Sequence, residues 1–225
     1  MNQPNNVSSA RSLGEPGGYE WFEKFATDLS EQDFSICPGA LPPTVFEALS
    51  RKRESLTDAD YSDASIGRRF KEQRNRFVRT NRVHWLLEED DAISSWRHWS
   101  FKLRRYLNRH LYLGLESFES HIALYEPGDF YKLHIDAFRG ERNRIISLVT
   151  YLNDSWQPGQ GGELVLYPEN GEPVRVIPEA GTVVLFLSEV VPHEVMLTNR
   201  VRHSVSGWFR VRSTSSLLDL PRQFL

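Results

Sequence analysis

The stretch SHIALYEPGDFYKLHID, residues 120–136, decides how the rest of the chain is read. The strand-like run SHIALY stops at the Pro-Gly turn EPGD and resumes as FYKLHID, the signature of two short strands joined by a tight connection. The rhythm continues through RIISLVTYLN, GELVLYP, PVRVIP, TVVLFL, HEVML and RHSVSGWFRVR, with Gly and Pro between the segments. Short strands at this spacing predict an antiparallel barrel or jelly roll.

Inside the opening stretch, His134 and Asp136 are two residues apart, so on a strand both side chains share one face and can bind one metal ion. His193, in VVPHEVML, lies 59 residues further on (193 − 134), after strands that could fold back beside the first. Two His and one carboxylate leave one side of a metal open, the pattern of the facial triad of non-haem Fe(II) oxygenases. Arg202 follows nine residues after His193 (202 − 193). If HEVML and VRHSVSGWF paired across a turn at Thr198 and Asn199, His193 would oppose Ser204 and Val195 would oppose Arg202. That register sets a guanidinium beside the metal face, where its fixed fork of donors suits a dicarboxylate such as 2-oxoglutarate. Arg202, Ser204, Ser206 and Trp208 alternate along the last strand and form a candidate inward row, with His203 turned outward.

Taken singly, these residues have plainer readings. A lone H-x-D also occurs at hydrogen-bonded strand ends, His193 could be a satisfied core histidine, and Arg202 a surface arginine beside Arg200, Arg210 and Arg212. Their joint occurrence, in order and on strands, is what makes a site. His84, His98, His110 and His121 have no partner at ligand spacing.

The motifs LYEPGDFYKLHID, VTYLNDSW, GGELVLYPE, VVLFLSEVVPHEV and RHSVSGWF together resemble the Fe(II)/2-oxoglutarate-dependent prolyl hydroxylases, the oxygen-sensing type and its bacterial relatives above all. The likeness is close over residues 119–212 and looser before them. It implies an α+β, mainly β fold, a double-stranded β-helix (jelly roll) with N-terminal helices packed on the larger sheet. It implies Fe(II) held by His134, Asp136 and His193, with 2-oxoglutarate and O2 as co-substrates and ascorbate as an optional reductant. Arg202 and Tyr151 would hold the distal carboxylate of 2-oxoglutarate and Tyr125 would sit near its metal-bound end; packing alone is the alternative for each Tyr. Arg202 and Ser204 match the R-x-S pairing of these oxygenases, and Ser204 and Trp208 would line the co-substrate pocket. Arg144 matches a substrate-side arginine. The implied reaction is hydroxylation of a prolyl residue in a protein to 4-hydroxyproline, with release of succinate and CO2, as in peptidyl-proline dioxygenases. Halogenating relatives lack the carboxylate that Asp136 supplies. A 2-oxoglutarate-dependent nucleic-acid demethylase is the runner-up, though such enzymes carry a second Arg six residues after the first, where Trp208 stands. A metal-binding barrel without turnover is the third reading. The segment AFRGERN is one residue longer than in the animal enzymes and the turn between Tyr125 and His134 one shorter.

Length and composition bound these readings. The 225 residues, 40% hydrophobic and 25% charged, suffice for one domain with a large core. A net charge of −3 gives no general pull toward nucleic acid or anionic membrane, and the lone Cys37 excludes an internal disulfide. No apolar run nears a membrane span and the N-terminus lacks the apolar core of a secretory signal. A cytoplasmic monomer is expected.

Residues 1–18, polar and rich in Gly, Pro, Asn and Ser, predict a disordered tail, and residues 19–225 a single domain with a β-helix core at about 118–212. Trp21, Phe22, Phe25 and Leu29 have helical spacing. FSICPGALPP predicts a short strand and a turn. Thr44 with Glu47 forms a candidate capping box for a helix from about Val45. Residues 89–113 give the strongest helix, with Ile93, Trp96, Leu103, Tyr106, Leu107 and Leu111 as a core stripe and Gly114 as its end. Between them, SIGRRFKEQRNRFVRTNR is basic, with only Glu72 opposing its arginines and lysine. A solvated basic loop and a nucleic-acid patch are both open to such a segment. The resemblance makes residues 60–82 a mobile hairpin loop that closes over a peptide, with Arg68, Arg76 and Arg79 as candidate substrate contacts.

Overall fold

The computed structural model describes residues 19–64, 77–136 and 143–212. The expected tail, Arg68, Arg76, most of the closing loop and nearly all of AFRGERN lie outside them. Three helices precede most of the strands: α1 (Tyr19–Gln32), α2 (Pro43–Ser55) and α3 (Ser94–Leu111). The strands are β1 (Phe34–Cys37), β2 (Ser62–Asp63), β3 (Arg82–Leu86), β4 (Ser117–Tyr125), β5 (Tyr131–His134) and β6 (Arg144–Tyr151). They continue as β7 (Leu164–Leu166), β8 (Val174–Val176), β9 (Val183–Leu187), β10 (His193–Val195) and β11 (Arg202–Arg210). Among the described residues they form a seven-stranded sheet, β1-β9-β6-β11-β4-β3-β2, and a four-stranded sheet, β5-β10-β7-β8. Every pairing among these strands is antiparallel, in keeping with the Gly- and Pro-punctuated pattern. This is the double-stranded β-helix.

Period-two alternation gives the large sheet two different faces. One face, with Ile122, Ile146, Leu148, Leu185, Val205 and Phe209, packs with Phe22, Phe25 and Leu29 of α1 and Trp96, Leu103 and Leu107 of α3. The other, with Ala123, Tyr125, Val149, Tyr151, Val184 and Phe186, meets Leu164, Leu166, Val176 and Val195 of the small sheet. Helices α1 and α3 thus cover the larger sheet, as their stripes imply. The site lies between the sheets.

Several local expectations are corrected. β10 and β11 do not form a hairpin: β10 lies between β5 and β7, and β11 between β4 and β6. The connection is tied down elsewhere, since the Thr198 N–H donates to the Asp129 carbonyl at 3.0 Å and the Thr198 carbonyl accepts from Gly128 at 2.8 Å. Helix α2 begins at Pro43 with no side-chain cap. A proline at the first position presets φ and leaves no N–H to be capped, so Thr44 is not needed. Helix α3 is shorter than expected, because Asp90 caps a separate 3-10 turn at Asp91–Ile93. It ends on Tyr112 in the left-handed region rather than on Gly114, and Asn108 replaces a glycine cap by bonding both the N–H and the carbonyl of Leu115 at 2.7 and 2.8 Å. Residues 82–86, given no strand from sequence, extend the large sheet beside β4. Arg82 is not left to solvent, since it pairs with Asp58 at 3.3 Å and Glu126 at 3.1 Å.

Candidate metal centre and oxoacid pocket

His134 ends β5 and His193 opens β10, and the two are direct partners in that sheet's register. Asp136 lies just past β5, so it is not on the same strand as His134, but it still turns to the same side. Its Oδ1 is 3.5 Å from His134 Nε2 and its Oδ2 is 3.6 Å from His193 Nε2. One donor atom from each residue falls within 4.8 Å of the others. Donors held at about 2.1 Å by one ion lie roughly 3 to 4 Å apart, so the set fits a metal with small adjustment.

The surrounding bonds aim these donors. His134 Nδ1 meets the Lys132 carbonyl at 2.8 Å and His193 Nδ1 meets that of Val191 at 3.2 Å, which protonates Nδ1 and turns each Nε2 lone pair to the centre. Burial, countered by Asp136 and assisted by His134, lowers the His193 pKa to about 4, so the ring is neutral and able to ligate at neutral pH. Burial alone would raise the Asp136 pKa. Attraction to His193, then the hydrogen bond and charge of His134 and the hydrogen bond from Ser147, outweigh it and hold the carboxyl ionised far below its usual range.

Two bonds join this carboxylate to the large sheet, and sequence reasoning saw neither in this role. Ser147 Oγ donates to Asp136 Oδ2 at 2.6 Å and the Trp208 indole N–H donates to the same oxygen at 2.8 Å. Trp208, expected in the co-substrate pocket, therefore serves the metal end. Arg144 stacks its guanidinium 3.8 Å from the Trp208 ring and pairs with Glu119 at 2.8 Å. Glu119 also binds Arg210 at 2.7 Å. Ser147 lies on the next strand, β6, in the other sheet, with no motif to mark it, whereas the inward parity of Trp208 was a usable signal.

Beyond the metal set, Arg202 is 1% exposed and forms no ion pair with any described residue. Its Nε donates to the Gly162 carbonyl at 2.8 Å and its Nη1 to Ser204 Oγ at 3.0 Å. Gly162 has a φ of +71°, and a Cβ there would press on Arg202 and Thr198, so glycine is needed for this approach. The Arg202 guanidinium lies 4.8 Å from the Tyr125 ring centre and 5.1 Å from that of Tyr151. The buried Tyr151 hydroxyl has no hydrogen-bond partner among the described residues, and burial raises its pKa to about 12 against the pull of Arg202. A buried cation without a counter-charge beside an orphaned hydroxyl needs an anion that also accepts a hydrogen bond. A carboxylate fits both.

The metal donors, Ser147, Trp208, Arg144, Tyr125, Arg202 and Ser204 line one cavity of about 380 Å³, and Tyr151 stands behind its wall beside Arg202. Arg79 lines it too, bonding Asn81 at 2.9 Å and lying 4.3 Å over the Tyr131 ring, which in turn stacks on His134 with centres 3.6 Å apart. His203 faces the helix side and is half-buried rather than solvated, its pKa lowered to about 4 by burial, then by Arg53 and Arg202. His84 and His110 are spent on backbone carbonyls of Asp60 and Tyr106.

Comparisons with known proteins agree with this geometry. Residues 120–210 match the model of the 2OG-Fe(II) oxygenase superfamily. A crystal structure of a prolyl-4-hydroxylase from Pseudomonas putida is similar at 35% identity and a TM-score of 0.77, covering 85% of this chain and 100% of that one. The chain belongs to this superfamily, and within it to the prolyl hydroxylases; it is a 2-oxoglutarate-dependent oxygenase that uses Fe(II) and O2. Two more distant structures share the fold. A prolyl hydroxylase from Trichoplax adhaerens, solved with a hypoxia inducible factor peptide fragment, is 21% identical with a TM-score of 0.74, over 86% of this chain and 90% of that one. A viral collagen prolyl hydroxylase from Paramecium Bursaria Chlorella virus-1, in complex with 2OG, is 18% identical with a TM-score of 0.55, over 81% and 98%.

Proposed function

We propose that the enzyme hydroxylates a prolyl residue of a protein to 4-hydroxyproline. The observation that carries this reading is the 35% identity to the Pseudomonas putida prolyl-4-hydroxylase over that chain's whole length. His134, Asp136 and His193 hold Fe(II), which with 2-oxoglutarate and O2 supplies the oxidant that places one oxygen atom in a substrate C–H bond and the other in succinate, releasing CO2. Arg202, with Ser204 and the Tyr151 hydroxyl, receives the distal carboxylate of 2-oxoglutarate and so fixes its direction in the cavity. Tyr125, opposite Arg202 in the strand register, walls the cavity and helps keep water from the buried charge. Ser147 and Trp208 hold the Asp136 carboxylate in place. Arg144 and Arg79 stand on the substrate side, where Arg79 packs on Tyr131.

The test is succinate formation by the purified protein with Fe(II), O2 and 2-oxoglutarate, with and without a cell extract, followed by mass spectrometry of the proteins. Extract-stimulated succinate with a gain of one oxygen on proline supports the reading. Stimulation with oxidised or demethylated nucleic acid instead would overturn the prolyl substrate, and no succinate under any condition would overturn turnover itself.

A further inference from the structure

The cavity contains one buried polar side chain that neither the metal set nor the oxoacid anchor uses. His121 on β4 is 4% exposed, and its Nδ1 has no hydrogen-bond partner among the described residues. Its ring stands between two indoles, 5.0 Å from Trp85 edge-on and 5.3 Å from Trp208, and lines the cavity with them. Trp85 is 44% exposed, so this end of the cavity opens toward solvent.

Register separates His121 from the oxoacid anchor. His121 is opposite Ser206, while Arg202 is opposite Tyr125, four residues away along the strand or about 13 Å. The two carboxylates of 2-oxoglutarate are only about 5 Å apart by bond lengths. A molecule with one carboxylate at Arg202 and its other end at the metal donors leaves the Trp85 end of the cavity, where His121 stands, to the second reactant.

The electrostatics select its chemistry. Burial, then the charges of Arg79 and Arg144, push the His121 pKa down to about 3, so the ring is neutral, with one donor and one acceptor. A carboxylate would be served better by the two neighbouring arginines. A main-chain amide, which offers a donor and an acceptor, matches a neutral imidazole.

We propose that His121 is a substrate-binding residue whose imidazole hydrogen-bonds a main-chain amide of the peptide, between the walls of Trp85 and Trp208. This rests on the reading of a peptide substrate given above. The test uses the full chain loaded with Fe(II), and a synthetic mixture of proline-centred peptides as the probe. Binding is read without O2 from the anisotropy of a label on the peptides, and turnover in air from succinate and hydroxyproline. His121→Phe keeps the size and apolar packing of the ring and should weaken peptide binding about tenfold, raising the KM for peptide without raising that for 2-oxoglutarate. His121→Gln keeps a donor and an acceptor and should recover most of the loss. Equal binding by wild type and His121→Phe would overturn the subsite, as would a rise in the 2-oxoglutarate KM matching that for peptide. No saturable binding by the wild type would overturn it too. Peptide binding without hydroxyproline would instead sink the prolyl reading, while the two variants still read the subsite through binding alone.

Discussion

The two faces of the seven-stranded sheet come from the same strands and could hardly differ more. On β11, Val205 and Phe209 face the helices and are fully covered, while Arg202, Ser204, Ser206 and Trp208 face the cavity. The helix side closes on itself: apolar side chains fill it, and the Trp96 indole finds Ser120 Oγ at 3.1 Å. The cavity side is as buried, but among the described residues Arg202 there has no counter-charge and the Tyr151 hydroxyl and His121 Nδ1 have no hydrogen-bond partner. A face that buries polar groups without satisfying them forgoes stability for binding, so the two faces should fail in different ways when cut.

The largest effect belongs to the cavity side. His134→Ala or Asp136→Ala should abolish Fe(II)-dependent succinate formation while circular dichroism retains the β-rich spectrum; persistence of both Fe(II) binding and turnover would remove these residues from the metal set. Next comes Arg202→Ala, expected to raise the KM for 2-oxoglutarate roughly a hundredfold, with Arg202→Lys recovering only part because an ammonium lacks the planar fork. A smaller loss is expected from Ser147→Ala or Trp208→Phe, each of which removes one bond to Asp136 and should weaken metal affinity about 10- to 100-fold. Anaerobic titration with Fe(II) reads it, and unchanged affinity in both variants would make those bonds incidental. On the helix side, Leu103→Ala should cost about 2–5 kcal/mol in urea unfolding and leave the KM for 2-oxoglutarate where it was. A shift in that KM would mean that the faces are coupled.

One prediction sets both faces side by side. His121 on the cavity side and His203 on the helix side have folded pKa values of about 3 and 4, below the 6.5 of the unfolded chain. Each is neutral when folded and takes up a proton only on unfolding, so its contribution is intact above about pH 6.5 and is lost as pH falls toward 4. Together they steepen the loss by about 2.7 kcal/mol per pH unit within that window. Unfolding midpoints from pH 7 to 4.5 in wild type and His203→Gln measure the slope, and equal slopes would show that His203 titrates alike in both states.

Strand order along the chain, the helical stripes and the triad were legible because each rests on a local period or a local spacing. The eight segments from SHIALY to RHSVSGWFRVR all became strands, β4 to β11. Arg202 could be named because its parity along the last strand marks the inner face, whereas Tyr125 and Tyr151 were named through the family resemblance alone. Local signals failed where two strands competed for one edge. The His193 segment and the Arg202 segment look like a hairpin, yet each found better partners in a different sheet. The same limit hid Ser147, whose only mark is that folding brings it 2.6 Å from Asp136. It also hid His121, which has no ligand spacing at all.

By itself, then, the chain determined which residues alternate inward, where it turns, and which three side chains can bind a metal, because side-chain direction follows from backbone period over a few residues. Only the tertiary structure decided which sheet each strand joins, that Asp136 is held from the opposite sheet, and that, among the described residues, Arg202 is buried without a counter-charge and the Tyr151 hydroxyl and His121 Nδ1 without a hydrogen-bond partner. Those facts depend on which distant surfaces exclude water together, and no local stretch of sequence encodes that.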